Sequence, residues 1–421
     1  MNSSRKALFF YTLPILLSSL SEHLLLLTDV YLLSFQETVF LAAVGFVDAF
    51  LLCSLSLGFA LNDSFQNFYA RNTKNKAWSY AIYQHSLRSF VLLSILVSGI
   101  AFFIVWMTSF TLRSPVYTAF FEASPFIIPL ILASFLSLSM NAYLLANDKV
   151  KAVGLISFVI ILSNALLGYL FLYVLRLPFS PLHTILISSL VAELIGIICM
   201  HLTIQRMKPD EHAFPIKKAK KLFQLLHVVA LYPALSEFLF HAGSFLLFVF
   251  CSFYFSENEI AQITLLLAYW GVLMVPVETF SETGLNQFAR IFAEKQKSKF
   301  LEVKNKLFQT SSIVACVLFS GIFLMDFLLI ETSTASNLDL FILLVIVIVA
   351  AHNQLMLTAM LTKLQTRSYG ITKALYGLTV IGCLCALVFA WKASTTAVIL
   401  SFLGGQLVVY AFLQLKKQTL L

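Results

Sequence analysis

Twelve apolar stretches, each long enough to cross a lipid bilayer as a helix, fill this sequence almost from end to end. They constrain the fold more than any other feature. A helix needs about 20 apolar residues to span the hydrocarbon core. The stretches run over 8–34, 39–69, 79–110, 117–145, 150–175, 181–205, 222–254, 258–289, 307–330, 338–362, 371–391 and 395–415. Several exceed the minimum, which predicts tilt or helix that continues past the lipid. Only 11% of the 421 residues are charged, against about 25% in soluble domains, so a water-soluble fold is excluded. The run from Ala7 to Ser34 is too long for the apolar core of a secretory signal and has no clear cleavage site, so it is read as the first span.

The basic residues orient the spans. With both termini in the cytoplasm, 24 of the 28 lysines and arginines flank the inner ends of the stretches. The outer flanks hold only Arg113, Arg176 and Lys392, and Arg88 lies near the start of the third span. An excess of positive charge on cytoplasmic loops is what sets membrane topology, and a wrong span count would scramble the alternation. The formal net charge of +8 then reflects loops held at the anionic inner leaflet and requires no nucleic-acid partner. The inner plasma membrane of a bacterium is the expected location.

The longest basic connection, 207–221, carries Pro209 and Pro215 and divides the chain into two sets of six spans. Sliding the second half onto the first by 219 positions aligns Pro14 with Pro233, Asp63 with Glu282 and Asn67 with Asn286, and sets Ala70–Arg71 on Ala289–Arg290. Each match falls at the same end of the equivalent span. The expected fold is therefore an all-α polytopic membrane protein, with twelve transmembrane helices in two six-helix lobes related by a pseudo-two-fold axis along the membrane normal. The lobes comprise 1–206 and 222–421, joined by a cytoplasmic linker at 207–221. Parallel repeats of this kind recur in transporters, with the solute site between halves.

Ionisable groups within a bilayer cost at least ~2.5–3.5 kcal/mol on insertion scales, so each calls for a partner or a function. The first span holds Glu22, His23 and Asp29 among several hydroxyls; Glu22 and Asp29 are seven residues apart and so share a helix face. Asp48, Glu193, Asn141 and Asn164 are the other polar candidates of the first half. A carboxylate withdrawn from water can take a proton and release it when a cation arrives, which is the chemistry an ion-coupled antiporter needs. In the second half, Glu237 and His241 form an i, i+4 pair, as do Glu278 and Glu282, while His352 and Asn353 lie midway along the tenth span. The six cysteines lie in apolar segments without metal-ligand spacing, and the 41 phenylalanines serve as well for lipid-facing surface as for any aromatic pocket. No zinc-protease, phosphate-loop or dinucleotide motif is present, so no metal, cofactor or ATP is expected and an enzyme is not.

The first span reads Leu13-Pro14-Ile15, then Thr28-Asp29-Val30, and leads into Leu41-Ala42-Ala43-Val44-Gly45. This resembles the opening pattern of the multidrug and toxic compound extrusion (MATE) family, within the superfamily that includes polysaccharide and lipid-linked oligosaccharide flippases. Leu144-Leu145-Ala146-Asn147-Asp148 looks like the family's turn before the fifth helix, and Asn164 stands where the family often has an asparagine. The resemblance implies ion coupling at Asp29. Members with a proton site often carry an aspartate four residues after that asparagine, where this chain has Gly168; Glu193 is the candidate substitute. The acidic residue some members carry in the seventh span is matched by His241, with Glu237 one turn earlier.

These readings together favour a secondary active exporter that exchanges protons or sodium for an organic, cationic or amphipathic solute. Asp29, Glu22, Asn164 and Glu193 would couple the ion, and Glu237, His241, His352, Asn353 and Asn141 would line the solute path. A lipid-linked oligosaccharide flippase would need a basic interior, which the spans lack. A membrane-embedded transferase would need clustered carboxylates for a metal–diphosphate, and a receptor would leave the acidic first span without a role.

Overall fold

Inside a bilayer every backbone polar group must find its partner within the protein, which leaves helices or closed barrels. In the computed structural model all regular structure among the described residues is helical. The structure describes residues 5–72, 76–110, 112–147, 149–207, 234–235, 237–239, 241–293, 297–329, 337–363, 365–391 and 394–420, with side chains described for most of them. The basic linker at 207–221, apart from Met207, lies outside them, as do Pro233 and the side chains of Glu22, Asp63, Asn67, Asn286 and Arg290.

The helices are α1 (Arg5–Leu33), α2 (Thr38–Asn72), α3 (Lys76–Ser109), α4 (Pro115–Ala146), α5 (Val150–Tyr169) and α6 (Pro181–Gln205). The chain continues with α7 (Glu237–Tyr254) and then α8 (Glu257–Ala293), α9 (Lys297–Leu329), α10 (Asn337–Thr362), α11 (Thr366–Trp391) and α12 (Thr395–Leu420). Among the described residues eleven of these, α2 to α12, are long and apolar enough to cross a membrane, and α1 adds the apolar segment His23–Leu33. The chain is thus a multi-pass membrane protein with the twelve-helix order the hydropathy predicts.

Helix ends follow local chemistry. Both α4 and α6 begin with a Ser-Pro step: Ser114 Oγ accepts from the Tyr117 amide at 3.2 Å, and Ser180 Oγ accepts from the His183 amide at 3.4 Å. The serine caps an orphan amide and the proline occupies the first helical position, where its missing N–H costs nothing. Ser256 and Glu259 form a reciprocal capping box at the start of α8, with the Ser256 amide donating to Glu259 Oε2 at 2.8 Å and the Glu259 amide to Ser256 Oγ at 3.4 Å. The ninth span is expected to start at 307, whereas α9 starts at Lys297 and its apolar span at Lys299. Its charged first turns carry Lys306 bonded to Glu302 at 2.5 Å. Helix α5 closes in a π-helical turn over Leu170–Val174, beyond which Arg176 takes a left-handed conformation at φ 47°.

The chain divides into two compact units, Thr28–Phe248, and Met1–Leu27 with Val249–Leu421. The divisions fall inside α1 and α7. Within the first unit α4 packs against α2, α3 and α6, and α5 packs against α6. Within the second, α10 packs against α8, α9 and α12, and α11 packs against α12. The two orders match helix for helix, six apart. Burial follows them: 67% of the apolar window of α8 is covered by protein but only 22% of that of α9 or α5, so α8 is enclosed while α5 and α9 leave most of their apolar surface uncovered. Phenylalanines fill both interiors. Phe46, Phe50, Phe120, Phe245 and Phe248 interlock in the first unit, and Phe280, Phe288 and Phe300 do so in the second.

Candidate functional site

Asp29 lies four residues before the end of α1, where the helix belongs to the Thr28–Phe248 unit. Both of its carboxylate oxygens are engaged. Asn164 Nδ2 on α5 donates to Oδ1 at 2.8 Å, and Ser189 Oγ on α6 donates to Oδ2 at 3.2 Å. Asn164 is fully buried, and its own Oδ1 accepts from Ser188 and Ser189, each at 3.1 Å. Three helices thus converge on one carboxylate. Tyr173 donates its hydroxyl to the Leu32 carbonyl at 2.6 Å, holding the end of α1 against the π turn.

The chemistry of this cluster lies in Ser189. Its single hydroxyl proton faces three acceptors: Asp29 Oδ2, Asn164 Oδ1 and the Ile185 carbonyl at 3.1 Å. A charged Asp29 draws that proton toward itself. A protonated Asp29 becomes a donor, and the serine can turn its hydrogen back to Ile185 or Asn164 and accept instead. The site therefore satisfies both protonation states by rotating one hydroxyl, without moving a helix.

Gly168 stands where the resemblance leads one to expect an aspartate. A Cβ built there would stand 2.8 Å from Leu32 Cδ1 and 3.4 Å from Ile185 Cδ1 and Ser188 Oγ, so a side chain at this position would displace the end of Leu32. Glu193, the candidate substitute, lies one turn beyond Ser189 on α6, with Ser137 on α4 beside its carboxyl. Asn141 lies one turn after Ser137 on α4, with a buried Oδ1 that has no partner among the described residues.

The remaining candidates separate by unit. Glu237 and His241 meet as an ion pair at 3.9 Å in the first unit, with Phe59 beside the imidazole. In the second, Asn353 donates to the carbonyl and the Oε1 of Gln406 at 2.9 and 2.8 Å. His352 lies 3.4 Å from Gln414 and between the rings of Phe308 and Tyr410. Glu22 lies outside the described side chains. Sequence reasoning passed over Ser188 and Ser189, although two adjacent hydroxyls in mid-span were the available signal.

The helix order and the burial gradient define a polytopic α-helical membrane protein whose two halves repeat one packing order. Comparison with solved structures specifies the fold as that of the MATE transporters. An outward-facing multidrug resistance MATE family transporter of the MOP superfamily matches with a TM-score of 0.74 at 15% identity, over 99% of this chain and 96% of that one. An inward-facing structure described in the same terms gives 0.75 at 15% identity over 97% and 98%. The eukaryotic MATE transporter AtDTX14 gives 0.77 at 13% identity over 97% and 94%. No protein-family model matches the sequence, and no curated protein matches it.

Proposed function

We propose that this chain is a secondary active exporter of organic cationic or amphipathic solutes, coupled to an inward ion flow through Asp29. The observation that carries the reading is a carboxylate within the membrane with each oxygen held by a donor from a different helix. An ionisable group in a span marks an ion pathway by default, and this one is built to exchange a proton. Ser189 can present either its hydrogen or its oxygen to the carboxylate, which supports a proton as the coupling ion, with sodium as the alternative.

Protonation changes the charge of the Asp29 cluster, and an ion that binds one state better shifts a two-state equilibrium toward it. Solved transporters of this fold in outward- and inward-facing forms support alternating access as the cycle that Asp29 biases. The basic inner flanks support cytoplasmic termini and residence in the plasma membrane.

The test is efflux of a cationic dye from proteoliposomes under an imposed proton gradient and then a sodium gradient. Proton-driven flux in the native protein that Asp29→Asn removes is the expected result. Equal flux in the variant sinks Asp29 as the coupling group. Absence of flux with every cation tried, together with movement of a lipid-linked sugar, would transfer the chain to the flippases.

A further inference from the structure

The second compact unit carries an ionisable pair that the Asp29 cluster does not use. His23 on α1 places Nε2 3.4 Å from Glu278 Oε2 on α8. Glu278 lies within the apolar span Glu257–Leu285, and neither group is sealed: the side chains are 27% and 45% exposed. A half-exposed carboxylate within a span faces protein interior or a water-filled space rather than lipid.

The seat of the imidazole is built. His23 Nδ1 stands 2.8 Å from the point a Cβ on Gly271 would occupy, so any larger residue there would push the ring away. Gly271 and Glu278 are seven residues apart and so lie on one face of α8, two turns from each other. Pro276, between them, deprives the helix of one amide donor. The ring therefore rests on Gly271 with one nitrogen and addresses Glu278 with the other. Glu282, one turn further along α8, is the other ionisable group on this stretch. On the neighbouring helices, Asp326 accepts the Tyr269 hydroxyl at 3.0 Å and His352 packs between Phe308 and Tyr410.

We propose that His23 and Glu278 form a binding site for the positive charge of an organic cation, in which the cation and the protonated imidazole compete for one carboxylate. With His23 protonated, Glu278 is paired and the site is closed to cations. When a cation docks on Glu278, His23 gives its proton to water, so one positive charge replaces another and the site stays neutral overall. Histidine is the side chain whose charge changes across physiological pH, which sets the direction: cation binding strengthens as pH rises. The physiological identity of the cation rests on the exporter reading, while the binding itself does not.

The experiment is equilibrium binding of tetraphenylphosphonium, whose charge does not titrate, to the full-length protein in detergent at about pH 5.5 and about pH 8, on either side of the histidine range. The native protein is expected to bind about tenfold more tightly at the higher pH, and Glu278→Gln to lose about tenfold there. His23→Gln is expected to bind tightly with a pH dependence of less than about twofold. Gly271→Ala keeps both ionisable groups while displacing the ring, so it should flatten the pH dependence without abolishing binding; the shape of its elution and melting profiles verifies folding. Native affinity in Glu278→Gln, or a native pH dependence in His23→Gln, overturns the site. Asp29→Asn separates the two readings: retained Glu278-dependent binding with altered flux supports this site, and so does retained binding with native flux, which sinks only coupling at Asp29. Loss of binding in Asp29→Asn overturns the His23–Glu278 site.

Discussion

Two of the ionisable residues of the first helix, His23 and Asp29, lie six positions apart, and the protein treats them in opposite ways. Asp29 is in the Thr28–Phe248 unit and has a donor on each oxygen. His23 is in the other unit, with one long contact to a half-exposed carboxylate and a glycine beneath its ring. Shorter, more numerous bonds among buried partners suit a group that must hold a small ion in both of its states. A looser, open pair suits exchange with a larger ligand. Similar residue types thus acquire different chemistry from how tightly their neighbours enclose them.

The largest expected effect breaks the comparison directly. Asp29→Asn should lower proton-driven flux by at least about tenfold, since an amide cannot take up the proton whose binding biases the cycle, and should leave cation binding at Glu278 intact. Flux and binding falling together would overturn the separate His23–Glu278 site. Next comes Asn164→Ala, which leaves Asp29 Oδ1 without its donor while Ser188 and Ser189 keep the Ile185 carbonyl. A stability loss of about 1–3 kcal/mol is expected from the orphaned carboxylate oxygen, read by thermal unfolding in micelles, together with weakened coupling. An unchanged melting point would show that the cluster is loosely held.

Gly168→Asp installs the carboxylate that the family resemblance suggests, and it should cost about 1–3 kcal/mol by overpacking against Leu32. The double variant with Leu32→Ala should recover part of that loss. A single variant as stable as the native protein would show that α5 and α6 have room to give. In the second unit, Gln406→Ala removes the side-chain acceptor of Asn353 and leaves the backbone carbonyl, so it should cost no more than about 1 kcal/mol while leaving the pH dependence of flux unchanged; a shifted pH profile would place the Asn353–Gln406 pair in the coupling path. The smallest effect belongs to Lys306→Ala, whose exposed i, i+4 pair with Glu302 is screened by water and is expected to leave the melting point almost unchanged. A larger loss would mean that the charged start of α9 does more than carry the helix through the interface.

Much of the fold was legible before any coordinates. The boundaries drawn from hydropathy fall within a few residues of α2, α4, α6, α10 and α12, because a span ends where the chain meets water. Helix α9 departs from this by ten residues, since charged side chains mark the lipid boundary without ending a helix. The π turn at Leu170–Val174 had no hydropathy signal. Of the candidate site, Asp29 and Asn164 stood out as polar residues in apolar runs. Ser188 and Ser189 did not, because serine bonds readily to the carbonyls of its own helix and so is common in spans without a role.

The sequence alone determined the class of molecule, the number of spans and their order, because partition between lipid and water acts residue by residue along the chain. It could not determine which polar groups meet. Asn164 reaches Asp29 across 135 residues, and Glu278 reaches His23 across 255. Those meetings depend on how helices rotate and pack, on a glycine at 168 that admits Leu32 and another at 271 that admits an imidazole. Only the tertiary structure decides that Asp29 is enclosed and Glu278 left open, and the proposed division between coupling ion and cargo follows from that difference.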